Sequence, residues 1–172
     1  VVLPEPQGPE TKQIRAAILS LLCILYTVYC IIIIKKAGIM MPSIIYTRPV
    51  FYYETDRMDC VHHSNYIRWF EEARVHFMHQ AGFPYEELEA AGIVSPVLSA
   101  QANYRAMCRF GEVVEIAVQV EKYSSVRIRF HYTVREQSTG QIRCDGQTSH
   151  CFLGAAGRPV SLKRALPGFH QR

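Results

Sequence analysis

Residues 52–74 read YYETDRMDCVHHSNYIRWFEEAR. The stretch changes character in its middle. From Glu54 to Ser64 it is a polar loop crowded with Asp56, Arg57, Asp59, His62 and His63. Asn65 belongs to the residue types that cap helices, and from Tyr66 onward the apolar period becomes helical. Tyr66, Phe70, Ala73, Phe77 and Ala81 fall on one stripe, with Ile67 and Met78 beside it. Arg68, Glu71, Glu72 and Gln80 lie elsewhere and should meet solvent or a partner, and Gly82 is placed to end the helix. The spacing predicts one long amphipathic helix from Tyr66 to Gln80. A second, short helix follows over Pro84 to Ala91, with proline near its first turn.

On both sides of this helix the text is strand-like. Upstream, Ile44 to Tyr53 is rich in β-branched and aromatic residues. Downstream, Leu98, Ala100, Ala102, Tyr104 and Ala106 alternate with polar residues. So do Val114, Ile116, Val118 and Val120, and then Val126, Ile128, Phe130, Tyr132 and Val134. Gln141 to Leu153 reads as another strand, and Gly154 to Pro159 as a turn before a short final strand. Directly opposed residues of an antiparallel pair share a face, so the even-numbered apolar positions must oppose one another. A three-residue loop, Tyr123 to Ser125, meets that condition and pairs Glu121 with Arg127, Gln119 with Arg129 and Val118 with Phe130. An antiparallel sheet needs one face covered, and only one long helix is available to cover it. The expected class is α+β: a curved antiparallel sheet wrapped around a central helix.

Residues 1–40 stand apart as a hydrophobic N-terminal extension to a domain over 41–172. Ala16 to Ile34 is nineteen residues without a charge, flanked by Lys12 and Arg15 before it and Lys35 and Lys36 after it. A helix of that length could just cross a hydrocarbon core, so a membrane anchor is one reading. Translated upstream sequence is another, because Met40 and Met41 stand just before the first patterned segment. A signal peptide fits less well, since lysines rather than a small-residue cleavage site follow the apolar run. The net charge of +4 is spread along the chain rather than clustered, which argues against nucleic acid as a partner. The six cysteines include no CxxC pair and read as free thiols in a reducing, cytoplasmic setting. A membrane-anchored protein with a cytoplasmic domain is the alternative.

A carboxylate and an imidazole in a loop that leads into a helix N-terminus carry chemical meaning. The first helical N–H groups lack internal partners and attract developing negative charge. They can polarise a carbonyl while the carboxylate attacks it or activates water, which makes acyl transfer plausible. The run Tyr52-Tyr53-Glu54-Thr55-Asp56, then Val61, His63 and Tyr66, then Trp69-Phe70-Glu71-Glu72-Ala73-Arg74, resembles the 4-hydroxybenzoyl-CoA thioesterase-like hotdog family. Within it, the chain is most similar to the acyl-CoA thioester hydrolase branch that includes the bacterial Tol–Pal-associated thioesterase. The similarity continues through Ala81-Gly82-Phe83, Leu88, Gly92-Ile93, Tyr104 and Phe110-Gly111-Glu112.

The resemblance implies a hotdog fold, hydrolysis of acyl-CoA thioesters and no cofactor. It places the catalytic aspartate on Asp56, an assisting histidine on His63 and the carbonyl-polarising N–H at about His63. It adds Tyr66, Asn65 and Glu72 as substrate-binding residues. It implies a homodimer or homotetramer with the sheets continuing across subunits, and it admits an acyl carrier protein as partner. One departure is visible: the family usually carries glycine where Asp59 stands, which bears on substrate range. The alternative on the same fold is a non-catalytic module that binds acyl thioesters or an acyl carrier protein. A metal site at His62, His63 and Asp59 is disfavoured because adjacent histidines rarely meet on one ion. His76 and His79 share a helix face but have no evident third ligand. The stripe of Arg127, Arg129 and Arg135 reads as a solvated strand face, with the nucleotide end of CoA as its other use.

Overall fold

Strand-forming residues on both sides of the long helix make one five-stranded antiparallel sheet, in the order β1-β3-β4-β5-β2. The computed structural model describes residues 43–166. The strands are β1 (Ile44–Pro49), β2 (Val97–Tyr104), β3 (Val113–Ser124), β4 (Arg127–Glu136) and β5 (Ile142–Cys151). The helices are α1 (Ser64–Gln80), α2 (Tyr85–Ala90) and the short α3 (Leu162–Ala165). This is the hotdog architecture, a curved sheet around α1. Val114, Ile116 and Val118 from β3 and Phe130, Tyr132 and Val134 from β4 are buried against Tyr66, Trp69, Phe70 and Ala73 of the helix. A second cluster joins Met78, Leu88, Ile93, Phe152 and Leu162. The extension over 1–40, with its apolar segment 16–34, lies outside the described residues. Among the described residues, no helix is long and apolar enough to cross a membrane.

Several boundaries differ from the sequence reading, each for a local reason. The first strand stops at Pro49 instead of reaching Tyr53, and Tyr52–Glu54 forms a 3-10 turn. The Glu54 carboxylate reaches back to the Phe51 amide and fixes that turn. The long helix starts at Ser64, so Asn65 lies in its first turn and His63 takes the cap position. Trp69 is fully buried, although it was not placed on the apolar stripe, whereas Ile67 is 37% exposed. The segment after Pro159 forms α3 in place of a strand.

The β3–β4 register also needs correction. Phe130 pairs with Val120, not Val118, and Arg127 pairs with Ser124, not Glu121. The register shifts between Val120 and Lys122, where Glu121 bulges, and the turn shrinks to Ser125 and Val126. Glu121 therefore approaches Arg129, at 3.8 Å, rather than Arg127. Beyond the bulge apolar still opposes apolar, because a one-residue slip would turn every core side chain outward.

β2 is an edge strand that α1 covers only in part. Ala100, Ala102 and Tyr104 oppose Thr148, Gly146 and Cys144. They therefore share the inner face of the sheet. Yet Leu98 and Tyr104 are each 51% exposed. Where the helix does cover the sheet, packing is tight. Phe70 stacks on Tyr132 with centroids 4.4 Å apart. The same ring lies over Gly146, where an added Cβ would meet Phe70 Cε2 at 2.4 Å and the Gln101 carbonyl oxygen at 2.5 Å. One of those contacts is backbone and cannot swing aside. Gly146→Ala should therefore lower unfolding stability by about 1–3 kcal/mol, measured by denaturant titration. Wild-type stability in that variant would contradict this packing of α1 on β5.

Candidate active site

Asp56 is held by a tight loop whose base is a bridge between Thr55 and Val61. Inside it, the Asp56 amide donates to the Cys60 carbonyl (2.9 Å) and the Asp59 amide to the Asp56 carbonyl (3.0 Å). The Asp56 side chain closes an Asx turn, accepting the Met58 amide on Oδ1 at 2.8 Å. The Cys60 thiol donates to the same oxygen at 3.8 Å. Oδ2 carries no hydrogen bond among the described residues.

Glu54 ties this loop to the rest of the fold. It is buried, and its Oε1 accepts from Arg48 Nη2 (2.7 Å) and Trp69 Nε1 (2.8 Å). Its backbone carbonyl accepts from the His62 amide (2.9 Å) and from Asn65 Nδ2 (2.7 Å). One residue thus connects β1, the loop and the first turns of α1. Arg48 also lies over the Trp69 ring, 4.8 Å from its centroid. On the loop's other side, the Val61 amide donates to the Cys108 carbonyl at 2.7 Å.

His63 caps α1 with its side chain exposed, its ring tilted against that of His62 at 4.1 Å between centroids. Its carbonyl accepts from the Tyr104 hydroxyl (3.1 Å), while its amide donates to no acceptor among the described residues. Asp56 lies in the loop that leads into α1 and His63 at its cap, and the two side chains do not hydrogen bond to each other among the described residues. Asn65 is buried, with its amide committed to Glu54. Tyr66 is buried against Trp69 and Tyr104, and burial pushes its phenol well above the usual range, so it stays neutral. Glu72 points elsewhere. It accepts from the Tyr46 hydroxyl (3.2 Å) and lines a groove of about 730 Å³ with His76 and His79 on the outer face of α1. None of Asp56, His63, Asn65 and Tyr66 lines that groove.

The thioesterase-like superfamily matches residues 50–167, which contain this loop, α1 and all of the sheet except β1. The chain belongs to that superfamily. Relatives within reach of it include a provisionally named esterase of Aquifex aeolicus, 35% identical over 71% of this chain and 93% of that protein. The provisionally named acyl-CoA thioesterase YneP of Bacillus subtilis is 29% identical, covering 70% of this chain and 88% of its own. Among solved structures, a DHNA-CoA thioesterase from Staphylococcus aureus superposes with a TM-score of 0.72 at 32% identity, over 75% of this chain and 87% of that one.

Glu54, Arg48, Trp69 and Cys60 were not singled out for roles by the sequence. A glutamate in a polar run gives no signal that it is buried, and the indole partner that buries it lies fifteen positions away. Asp59, by contrast, now has a physical reading. Its φ is 57°, a left-handed conformation that glycine adopts freely and aspartate tolerates better than most residues. The loop needs a residue at position 59 that tolerates this conformation, and the aspartate there also pairs with Arg109 at 2.5 Å. That pair is exposed and contributes little. Asp59→Gly should therefore stay within about 0.5 kcal/mol of wild type, and Asp59→Ala should lose about 1–2 kcal/mol. Thermal unfolding of the two variants checks this, and equal stability of both would contradict it.

Proposed function

We propose that this protein hydrolyses acyl-CoA thioesters to a carboxylic acid and free CoA, with Asp56 as general base or nucleophile. The observation that supports the reading is the loop that leads into α1. It carries Asp56, with an uncommitted carboxylate oxygen, and ends at His63, the helix cap, whose amide is also uncommitted. The amide and the helix end would stabilise negative charge on the thioester oxygen as the carbonyl is attacked. On the base route, Asp56 takes a proton from water as the new C–O bond forms. The C–S bond then breaks, and the proton passes to the departing CoA thiolate. On the nucleophile route, the Asp56 carboxylate displaces CoA thiolate from the acyl carbon to form an acyl anhydride. Water then cleaves the anhydride to the free acid and the restored carboxylate, and its other proton passes to the thiolate. His63 orients or assists from the loop's far side.

The proposed acyl group lies against Tyr66, with Asn65 holding the helix start to the loop. Glu72 opens on the separate groove, so a contact with substrate needs the thioester to extend across α1. The open inner face of β2 supports a homodimer. A second copy paired edge to edge would continue the sheet and cover Leu98, Ala100 and Tyr104. An acyl carrier protein presents the same thioester chemistry as CoA and is admitted as an alternative carrier.

The test is release of free thiol from an acyl-CoA panel by the full chain. Asp56→Asn keeps the size of the side chain but removes the base, so kcat should fall by about 10²-fold or more. His63→Ala should cost less. Turnover near wild type in Asp56→Asn would remove the mechanism. Tight acyl-CoA binding with no thiol release by the wild-type chain would instead favour the non-catalytic module.

A further inference from the structure

We infer that the Cys60 thiol is a positioning group for Asp56: together with the Met58 amide it holds carboxylate Oδ1 and so presents Oδ2 to the reacting thioester. The inference rests on the catalytic reading of Asp56 and adds to it which oxygen reacts and what selects it. The two carboxylate oxygens are chemically equivalent until the protein distinguishes them. Here both donors reach the same one, Met58 N at 2.8 Å and Cys60 Sγ at 3.8 Å. The Met58 bond alone fixes one oxygen but leaves the carboxylate plane free to rock about it. A second donor from the opposite wall of the loop removes that freedom.

The loop holds the two residues face to face. The Thr55–Val61 bridge closes its base, and the Asp56 amide bonds to the Cys60 carbonyl at 2.9 Å. That bond holds the Cys60 backbone beside Asp56, within reach of its carboxylate. The thiol is also in the right state to donate. Burial, and then the charge of Asp56, push it above the ordinary thiol range, so it remains S–H at neutral pH. A protonated thiol does not compete with Asp56 for the thioester carbon, because the thiolate is the nucleophilic form. The ordinary role for such a half-buried cysteine is that of a small apolar filler. The two roles predict opposite orders for two substitutions. Cys60→Val keeps the bulk and removes the donor, whereas Cys60→Ser keeps a donor and removes bulk.

The experiment measures kcat, KM and thermal midpoint of the full chain with an acyl-CoA that the wild type turns over, for both variants and for each combined with Asp56→Asn. For a weak donor to a charged group, Cys60→Val should lower kcat about fivefold with KM changed less than about twofold. Cys60→Ser should keep kcat within about twofold of wild type even if its thermal midpoint falls. In the Asp56→Asn background, Cys60→Val should add no further loss. Wild-type kcat in Cys60→Val overturns the inference, as does Cys60→Ser falling as far as Cys60→Val, or an equal loss from Cys60→Val with Asp56 already removed. Wild-type turnover in Asp56→Asn alone would instead overturn the catalytic reading itself, so the two failures are distinguishable.

Discussion

The buried carboxylate of Glu54 is the interaction on which the site depends. Its ion pair with Arg48 is 2.7 Å long, with both side chains about 5% exposed. A charge removed so completely from water is tolerable only if each oxygen is satisfied, and here they are, by a guanidinium, an indole and a backbone amide. The net stabilisation from such a pair is modest. Breaking it by removing Arg48 is not, since the Glu54 carboxylate is left buried without its charge partner at a cost of about 3–5 kcal/mol, whereas Arg48 also has Glu72 at 3.4 Å. The constraint is therefore geometric more than energetic. β1, the loop and α1 can come together in one way only, the way that leaves no charge stranded.

The functional elements inherit that geometry. Glu54 lies two residues before Asp56, and its carbonyl bonds to His62 and Asn65 on the loop's other side. Both ends of the loop are thus pinned to one residue, and the Thr55–Val61 bridge closes it just beyond. The Asp56 carboxylate is set by bonds within the loop, while the His63 end is also held from a distance by the Tyr104 hydroxyl and, at Val61, by the Cys108 carbonyl. The rest of the sheet supplies a rigid backing. The open inner face of β2 leaves room for a second chain or a long acyl group beside the helix.

How much of this was legible in the sequence follows from the range of each interaction. Periodicity is a local signal, so the long helix, the alternating strands and the α+β class could all be read from spacing. The resemblance carried by Tyr52 through Arg74, and on to Phe110-Gly111-Glu112, then pointed to the family. The β3–β4 register went astray because the bulge at Glu121 is a choice between two backbone paths that bury the same apolar faces. The overlong first strand has a similar origin. Tyr52 and Tyr53 look strand-forming, but Glu54 pulls the chain into a 3-10 turn and leaves both tyrosines exposed. At the site, Asp56 and His63 were legible as residue types in a suggestive place. Glu54, Arg48 and Trp69 were not, because a buried ion pair with an indole is assembled from three elements and leaves no trace in the spacing of any one. The position of Asp59 was flagged as a departure from the family pattern. The left-handed backbone at that position became visible only in three dimensions.

The claim that Glu54 fixes the site can be measured directly by amide hydrogen exchange, comparing wild type with Glu54→Gln. That change keeps the shape of the side chain and removes the charge that faces Arg48. The account predicts faster exchange at the Phe51, Met58, His62 and Asn65 amides, while the β3–β4 and β4–β5 ladders keep their protection. Unchanged protection across the loop would contradict it, and would mean that the loop holds its shape without Glu54.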